Sequence, residues 1–582
     1  MGRVGLIGLL GVFVLSVTIG ATDEAPTAVA DAAQRSDGQA VRTLVRSGGD
    51  VNAAQGDGMT ALHWAAMHSD TDLASVLLYA GANVRSTTRL GGYTPMHLAS
   101  QAGAAGVIKA LAAAGANVGA TTTTGATPLM LAAAAGQLDA VNALLDLHAD
   151  PNVTESAHQE TALMFASALD RADVAAALLK HGASVATVSG IVDLSELTAP
   201  EDTLQREIRD KQNEESAKRT GAAPPPVQAD PMAFQGPTSR AGVAGVTRPY
   251  SFNELIGKQG GLTALHFAAR QGALKTAHAL VDAGADVNVV SPADGTTPLV
   301  IAAINGQFDL AAFLVENGAD PNIASQSGMT ALYAALNVEW APRMFYPQPR
   351  AQLQQKLSYV DFMKVLLDNG ADPNLRVRRK IWYTQYNFDL LRVDESGATP
   401  FWRAAYASDI AAMKLLLDYG ADPNIWTMKP PANARFQQGG TRSGDNRDGT
   451  GRPPVQTGGP DIPPLLAAAG EGYGEGFAAN AHRFAPTGML AAVKFLVEEI
   501  GVDVNARDAD GNTALHNAAA RGDNEMIEYL VSKGADVKAV NRSGQTTVDM
   551  ANGPVQRTQP YPETIKLLEG LGAKNNHRCV SC

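Results

Sequence analysis

The apolar positions of the chain recur in short blocks separated by polar turns, and one block is repeated many times. Its first half reads GMTALHWAA at 58 and returns as GYTPMHLAS at 92, GATPLMLAA at 125 and QETALMFAS at 159. Further copies begin at 261, 295, 328, 397 and 511, with weaker ones at 462 and 544. A second apolar stripe follows the copies, and in several of them it ends in Gly-Ala-Asp, as in TAHALVDAGADVN. The regular spacing of 33 or 34 residues predicts a repeated pair of short helices.

The residues within one copy explain why such a pair would form. Thr60 stands where a hydroxyl can cap the first helix, and Pro95 takes the first helical position of the next copy, where its missing N–H is harmless. Small residues such as Ala65 keep this helix slim, and Leu77 belongs to the buried stripe of the second helix. Gly81 ends the second helix, as glycine does just past a C-terminus. Because one unit cannot bury its own apolar face, the pattern predicts a stack of units.

These repeated residues resemble the ankyrin repeat, in which Thr-Pro-Leu-His-x-Ala is followed by a leucine pair and Gly-Ala-Asp. The resemblance covers about three quarters of the chain. It implies an all-α repeat solenoid of helix-turn-helix units with β-turn fingers, about twelve units in two blocks. It also implies that a protein partner is recognised along the concave face made by the fingers and the first helices.

Histidine occupies the same place in four copies, at His63, His97, His266 and His516. A metal or proton-transfer site usually occurs once in a chain, whereas a structural residue of a repeat recurs, so the repetition favours a structural role for these histidines. The resemblance implies that this histidine ties neighbouring loops together by hydrogen bonds. His68 is not repeated and falls where two helices turn.

The repeats and their interruptions divide the chain into segments. We predict a signal peptide at 1–21, an N-terminal block of about five units at 27–190 that begins with a cap, a flexible linker at 191–260, a C-terminal block of about seven units at 261–576, and a Cys-x-x-Cys tail at 577–582. The C-terminal block carries inserts at 339–358, 376–395, 428–461 and 470–488. The Pro- and Gly-rich composition of the linker favours a spacer, and a segment that folds back into the groove is the alternative.

The insert at 376–395 is the strongest candidate for a binding site. Insertions in a solenoid lie in surface loops, and three consecutive units are elaborated here. Arginine and aromatic residues are enriched at interface hot spots, so we predict partner contacts. The residues are Arg378, Arg379, Trp382, Tyr383 and Tyr386. The alternation of the insert predicts a lengthened β-hairpin, and rings packed on the next repeat are the alternative.

Composition and charge narrow the function. A formal net charge of −12 argues against nucleic acid as a partner, because such binders carry a basic surface. Arg3 precedes an uncharged apolar run from Val4 to Ile19, which is the layout of a secretory signal. We therefore expect export to the periplasm or beyond the cell, with no membrane contact apart from that segment; an uncleaved anchor is the alternative.

Motifs for catalysis are lacking: the sequence has no H-E-x-x-H, G-x-S-x-G or G-x-x-x-x-G-K-[ST]. We therefore predict no catalytic residues, no metal and no cofactor. The exception is the tail, because Cys579 and Cys582 form the Cys-x-x-Cys that a following histidine would convert into a c-type haem attachment site. A disulfide, a metal chelate or an inert pair are the other possibilities for these cysteines.

The sequence thus favours an exported, non-enzymatic scaffold for protein–protein interaction. One alternative is the interaction portion of a redox or c-type haem protein that continues past the cysteine pair. A secreted effector that acts in another cell is the other alternative.

Overall fold

The computed structural model describes residues 27–196, 243–341, 350–381, 393–431, 450–473, 482–553 and 559–579. Almost all of its regular structure is short helices that follow one another in pairs. The all-α repeat solenoid predicted from the periodicity is confirmed. The chain divides into two compact units, residues 1–149 and 150–582.

In the unit 1–149, each first helix contacts the first helix of the neighbouring repeat and its own second helix. The helices are α1 (Ala28–Gln34), α2 (Gly38–Arg46), α3 (Ala61–Met67), α4 (Thr71–Tyr79), α5 (Pro95–Ala102), α6 (Ala105–Ala113), α7 (Pro128–Ala135) and α8 (Leu138–Asp146).

The start and end of α7 illustrate the local causes. The Thr127 hydroxyl accepts a hydrogen bond from the backbone N–H of Met130 at 3.3 Å, and Pro128 opens the helix. Gly136 ends it with φ at 73°, a left-handed conformation that glycine adopts without strain. Leu144 of the following helix is fully buried, so the predicted stripe does face the core.

The unit 150–582 continues the same construction in its described residues. Its elements are α9 (Ala162–Ala168), α10 (Ala172–Lys180), β1 (Ile191–Asp193), α11 (Phe252–Ile256), β2 (Lys258–Gly260), α12 (Ala264–Gln271), α13 (Leu274–Asp282), α14 (Pro298–Ile304), α15 (Phe308–Glu316), α16 (Ala331–Glu339), α17 (Tyr359–Asp368), α18 (Pro400–Tyr406), α19 (Ile410–Asp418), α20 (Pro464–Ala468), α21 (Met489–Lys494), α22 (Ala514–Arg521), α23 (Asn524–Ser532), α24 (Thr547–Ala551) and α25 (Pro562–Gly570).

The repeats on either side of the 191–260 insert stack directly on each other. Helix α9 contacts α12, and α10 contacts α13. The fully buried Thr276 donates from its hydroxyl to Asp170 at 2.9 Å. The two strands β1 and β2 pair antiparallel, with Ile191 opposite Gly260. The chain therefore leaves and re-enters the array at one place, and the repeats before and after the insert pack as neighbours. Most of the predicted flexible linker, residues 197–242, lies outside the described residues.

Asparagine side chains link the turns of successive units by hydrogen bonds, including units that are separated in sequence by an insert. The amide of Asn322 donates to the carbonyl of Gly370 at 2.8 Å, and its oxygen accepts from the N–H of Asp372 at 2.7 Å. Asn374 repeats the first of these bonds with Gly420 at 3.0 Å. Because the insert at 339–358 lies between Asn322 and its partners in sequence, that insert leaves the register of the array intact.

No helix in the described residues is long and apolar enough to cross a membrane. The predicted signal peptide at 1–21 lies outside the described residues. So do parts of all five interruptions that the sequence predicts.

Candidate functional site

The elongated finger, residues 376–395, stands on a buried base. Val377 and Ile381 are almost fully buried, and the N–H of Val377 donates to the carbonyl of Ala398 at 3.0 Å. The described residues of the finger form no β-strand, so the lengthened β-hairpin is not found in them. They form the two ends of a loop, residues 376–381 and 393–395, which are anchored to the array and which we call the foot of the elongated finger.

Arg376 fastens this foot to the neighbouring finger. Its Nε donates to the carbonyl of Gly397 at 2.7 Å, and its Nη2 donates to the carbonyl of Trp426 at 2.6 Å. Burial of the guanidinium lowers the pKa of Arg376. The two bonds are to neutral oxygens on two successive fingers, so Arg376 holds the spacing between them.

Arg378 is, like Arg376, exposed in the foot. Its backbone N–H donates to the carbonyl of Ser327 at 2.8 Å, which fixes the main chain while the side chain lies in solvent. Trp382, Tyr383 and Tyr386, predicted with it as partner contacts, lie outside the described residues.

Arg379 contacts the chain itself. Its guanidinium lies 5.7 Å from the centroid of the Tyr250 ring and donates to the carbonyl of Glu254 at 3.5 Å. Arg248 forms two hydrogen bonds of 2.7 Å with the Glu254 carboxylate and holds the pKa of that carboxyl down at about 2. The last residues of the 191–260 insert therefore fold back onto the elongated finger, and Arg379 serves that contact.

The repeated histidines are structural, as predicted. In His63, Nδ1 accepts from the backbone N–H of Thr60 at 3.2 Å, so the ring proton must lie on Nε2, which donates to the carbonyl of Tyr93 at 3.0 Å. His97 and His266 have the same bonds to their own threonine and to the next finger. Burial lowers the pKa of all three, that of His266 to about 4, and keeps the rings neutral.

A second polar cluster, which the sequence did not predict, lies under the insert at 470–488. Its centre is Arg403 on α18, of which only 2% is exposed. Arg403 donates from Nε to the Asn337 side-chain oxygen and from Nη2 to the carbonyl of Trp340, both at 2.9 Å. Its Nη1 is buried and has no hydrogen-bond partner.

Aromatic rings connect Arg403 to the insert. The Tyr406 ring lies 5.7 Å from the Arg403 guanidinium and stacks on His482, with 4.4 Å between ring centroids. His482 also contacts Tyr473 at 5.8 Å and Phe484 at 5.5 Å. We call these residues, together with Trp402 and Arg521, the buried arginine cluster.

His482 is neutral in this cluster. Its Nε2 lies 3.0 Å from the carbonyl of Tyr406, which can only accept, so Nε2 carries the proton. Burial, and then the charge of Arg403, lower the pKa of His482 to about 3. Nδ1 is left as a buried acceptor without a partner.

Family models of ankyrin repeats match most of the chain. A model of three copies matches residues 29–122, 101–188, 249–325 and 265–341. A model of many copies matches 481–531 and 515–559, and a single-repeat model matches 396–428. The chain belongs to the ankyrin-repeat family. Ankyrin repeats are in general scaffolds for protein–protein interaction.

Curated ankyrin-repeat relatives match short parts of the chain. Protein phosphatase 1 regulatory subunit 27 of Homo sapiens is 36% identical over 89 residues, 15% of this chain and 53% of the relative. Ankyrin repeat and SAM domain-containing protein 6 of Rattus norvegicus is 49% identical over 61 residues, 10% of this chain and 7% of the relative. Protein phosphatase 1 regulatory subunit 12A of Mus musculus is 41% identical over 71 residues, which are 12% of this chain and 7% of the relative. The chain thus spans about half or much less of these relatives.

The ankyrin pattern itself contains the signal that would have led to the buried arginine cluster. Trp402 takes the place of the repeated histidine and, like it, donates to the next finger, from Nε1 to the carbonyl of Ile462 at 3.0 Å. Arg403 stands one position later, where other ankyrin units have Leu98 or Phe267. An arginine at that apolar position is visible when the copies are aligned, whereas nothing in the sequence places His482 beside it.

The cysteine tail is described only in part. Cys579 is disulfide-bonded, and Cys582 lies outside the described residues. Within the part of the chain that the structure describes, no group of three or more His, Cys, Asp or Glu side chains is placed to hold a metal ion.

Proposed function

We propose that this ankyrin-repeat protein is an exported, non-enzymatic scaffold that binds a protein partner at the elongated finger. The observation that supports this site is Arg378, an exposed charged side chain on a main chain that is hydrogen-bonded and anchored by buried neighbours. A fixed main chain lowers the entropy lost when a partner binds. Arginine is also among the residues that dominate binding energy at interfaces.

The family supports a binding role without catalysis, because ankyrin arrays act as interaction scaffolds. Two of the relatives are named as regulatory subunits of a protein phosphatase, which supports a role in contacting another protein. Partner recognition along the concave face, as the resemblance implies, is part of the same proposal.

The finger can be tested without damage to its base. Lys380 donates to the carbonyl of Val393 at 3.3 Å, so the two ends of 382–392 lie close together and a short Gly-Ser linker can replace that segment. We expect this replacement, and Arg378→Glu, to abolish chemical crosslinking of the partner in the cell of origin. Arg270→Glu is the matched control, since Arg270 is exposed on α12 and outside the finger.

Helical content measured by circular dichroism should stay unchanged in all three variants. A partner that crosslinks as strongly to both finger variants as to the unaltered protein would refute the finger as the binding site. Loss of crosslinking in the Arg270→Glu control as well would mean that overall charge, and not the finger, governs capture.

Export rests on the sequence of residues 1–21 and is tested separately. Removal of residues 2–21 should leave the protein in the cytoplasm of the producing cell, while the full chain is found in the exported fraction. Equal distribution of both forms between the fractions would contradict export by this segment.

A further inference from the structure

A pocket of about 450 Å³ lies in the first described repeat of the unit 1–149, between α1 and the finger that follows α2. Its volume falls in the range of ligand pockets, about 300–1,000 Å³. Gln34 and Asp57 are exposed, so a ligand can reach the pocket from solvent. The lining is polar and consists of Thr27, Asp31, Gln34, Gln55, Gly56 and Asp57.

The two carboxylates of this pocket have no cationic partner. Asp31 accepts hydrogen bonds from the Gln55 amide at 2.7 Å and from the Thr27 hydroxyl at 3.0 Å. Asp57 accepts from the backbone N–H of Met59 at 2.9 Å. Neither aspartate forms an ion pair with any residue that the structure describes. The pocket therefore carries two negative charges that are bonded only to neutral donors.

Asp31 stands at a position that is apolar in the neighbouring repeats. It is the fourth residue of α1, and the fourth residues of α3, α5 and α7 are Trp64, Leu98 and Leu131. A terminal repeat needs polar residues on its free end. Asp31 instead faces along the array, because it bonds to Gln55, whose side-chain oxygen accepts from the Trp64 indole of the next repeat at 2.8 Å. Solvation of the free end therefore does not account for this carboxylate.

Hydrogen bonds fix the polar groups of the pocket in place. The Gln55 amide nitrogen donates to Asp31 and also to the Gln34 side-chain oxygen, at 2.7 and 2.9 Å. Each carboxylate oxygen can accept two hydrogen bonds, so both oxygens of Asp31 keep an acceptor position beside the bonds already made. The pocket thus offers oriented acceptors and negative charge, and its chemistry fits a cation with several N–H donors.

The guanidinium group is the side-chain cation that fits this description best. It is planar, always charged and weakly hydrated, and its five donors can bond to two carboxylates at once. A lysine ammonium is a compact and strongly hydrated charge without that planar set of donors.

We propose that this pocket receives an arginine side chain of the protein partner, which donates to Asp31 and Asp57. The proposal rests on the protein-binding role of the array, and charge complementarity between the pocket and the arginine selects the partner segment. The pocket belongs to the unit 1–149, whereas the elongated finger belongs to the unit 150–582. It is therefore a separate contact from the one at Arg378.

Three probes test the pocket by titration calorimetry on the full chain, in the absence of any partner. Acetyl-arginine methylamide has the guanidinium, acetyl-citrulline methylamide has nearly the same shape without the charge, and acetyl-lysine methylamide has the charge without the planar donors. We expect saturable binding of the arginine probe, binding of the lysine probe weaker by at least about threefold, and no saturable binding of the citrulline probe. Absence of saturable heat with the arginine probe up to about 50 mM, or equal binding of either other probe, would overturn the proposal.

Two variants locate the binding. Asp31→Asn and Asp57→Asn each remove one charge at nearly constant shape and should each weaken binding of the arginine probe by at least about threefold. Asp139→Asn is the matched control, since Asp139 is exposed on α8 and outside the pocket, and it should bind as the unaltered protein does. The same loss in this control would mean that overall charge attracts the probe, and the pocket would be rejected. If Asp31→Asn does not fold, Asp57→Asn in the exposed finger decides.

The link to the partner is tested with the double variant of Asp31→Asn and Asp57→Asn. Its crosslinking to the partner should be weaker than that of the Asp139→Asn control, while the elongated finger is unaltered in both. Undiminished crosslinking would refute an arginine contact with the partner. The calorimetry uses neither the partner nor the finger, so failure of the finger as a binding site would leave its result unchanged.

Discussion

At the scale of single residues, protonation state follows from which atoms can donate. A backbone N–H can only donate, so the nitrogen of His266 that accepts from Thr263 cannot itself carry a proton. A second proton on that ring would make Nδ1 a donor that faces the Thr263 N–H, so a buried hydrogen bond would be lost. Desolvation acts in the same direction, and together they keep the repeated histidines neutral well below their usual pKa.

This gives the array a defined response to acid. His266 and His516 bind a proton near pH 6.5 when unfolded but only near pH 4 when folded. Because the folded pKa is the lower one, their contribution to stability is complete above pH 6.5 and is lost as the pH falls towards 4. Each such histidine lowers the free energy of unfolding by about 1.4 kcal/mol per pH unit in that window.

We predict that His266→Gln makes the unfolding free energy of the protein less steeply dependent on pH. Urea unfolding at pH 6, 5.5 and 5, all inside that window, should show a slope reduced by about 1 kcal/mol per pH unit relative to the unaltered chain. Asp461, whose pKa burial raises to about 6, acts with the opposite sign but is present in both proteins and cancels in the difference. Equal slopes in the two proteins would contradict a neutral, buried His266.

At the scale of elements, the fingers are packed so closely that a glycine decides their spacing. Gly328 has φ at 82°, and a Cβ there would lie 2.6 Å from the backbone nitrogen of Arg378 in the elongated finger. Gly318, at the end of α15, has φ at 89° but open space around it. The two positions share the backbone strain of an added side chain and differ only in the contact.

We predict that Gly328→Ala destabilises the protein more than Gly318→Ala. The left-handed backbone costs both variants about 1 kcal/mol, and the clash with the finger adds at least a similar amount at Gly328. Thermal unfolding of both variants beside the unaltered protein gives the difference. If the two variants unfold at the same temperature, the finger does not pack on Gly328 as described.

Much of this construction could be predicted from the sequence, and the reason is its repetition. The Thr-Pro start of α7 and the glycine after it are local signals, and nine clear copies made them certain. The inward turn of Arg379 could not be predicted, since it depends on Tyr250, which is over a hundred positions away. Arg403 and His482 likewise both contact Tyr406, and the local sequence of the insert at 470–488 does not predict where His482 lies.

At the scale of the whole molecule, the described ends of the 191–260 insert, residues 191–196 and 243–260, meet at one place in the unit 150–582. The paired strands β1 and β2 bring its two ends together, and Thr276 on the second side of the insert bonds to Asp170 on the first. The helix pairs on either side therefore share one buried interface and should unfold together, as neighbouring repeats of a solenoid do.

We predict that replacement of residues 197–242 by a flexible Gly-Ser linker leaves this joint unfolding intact. Hydrogen exchange of α10 and α13 should show equal protection in both proteins, because the packing between them does not pass through the removed segment. As a control, Thr276→Val removes the bond to Asp170 and should speed exchange in both helices about equally. Separate loss of protection in α10 alone would mean that the segment itself joins the two sides.

Because the two ends of the 191–260 insert are adjacent, this position is suitable for the insertion of another domain. A foreign domain whose own termini lie close together, as those of many domains do, could be spliced between β1 and β2 without parting the repeats around it. A fluorescent protein placed there would sit near the foot of the elongated finger, because residues 250 and 254 already touch Arg379. Its signal would then report, in a living cell, the moment at which the scaffold takes up its cargo.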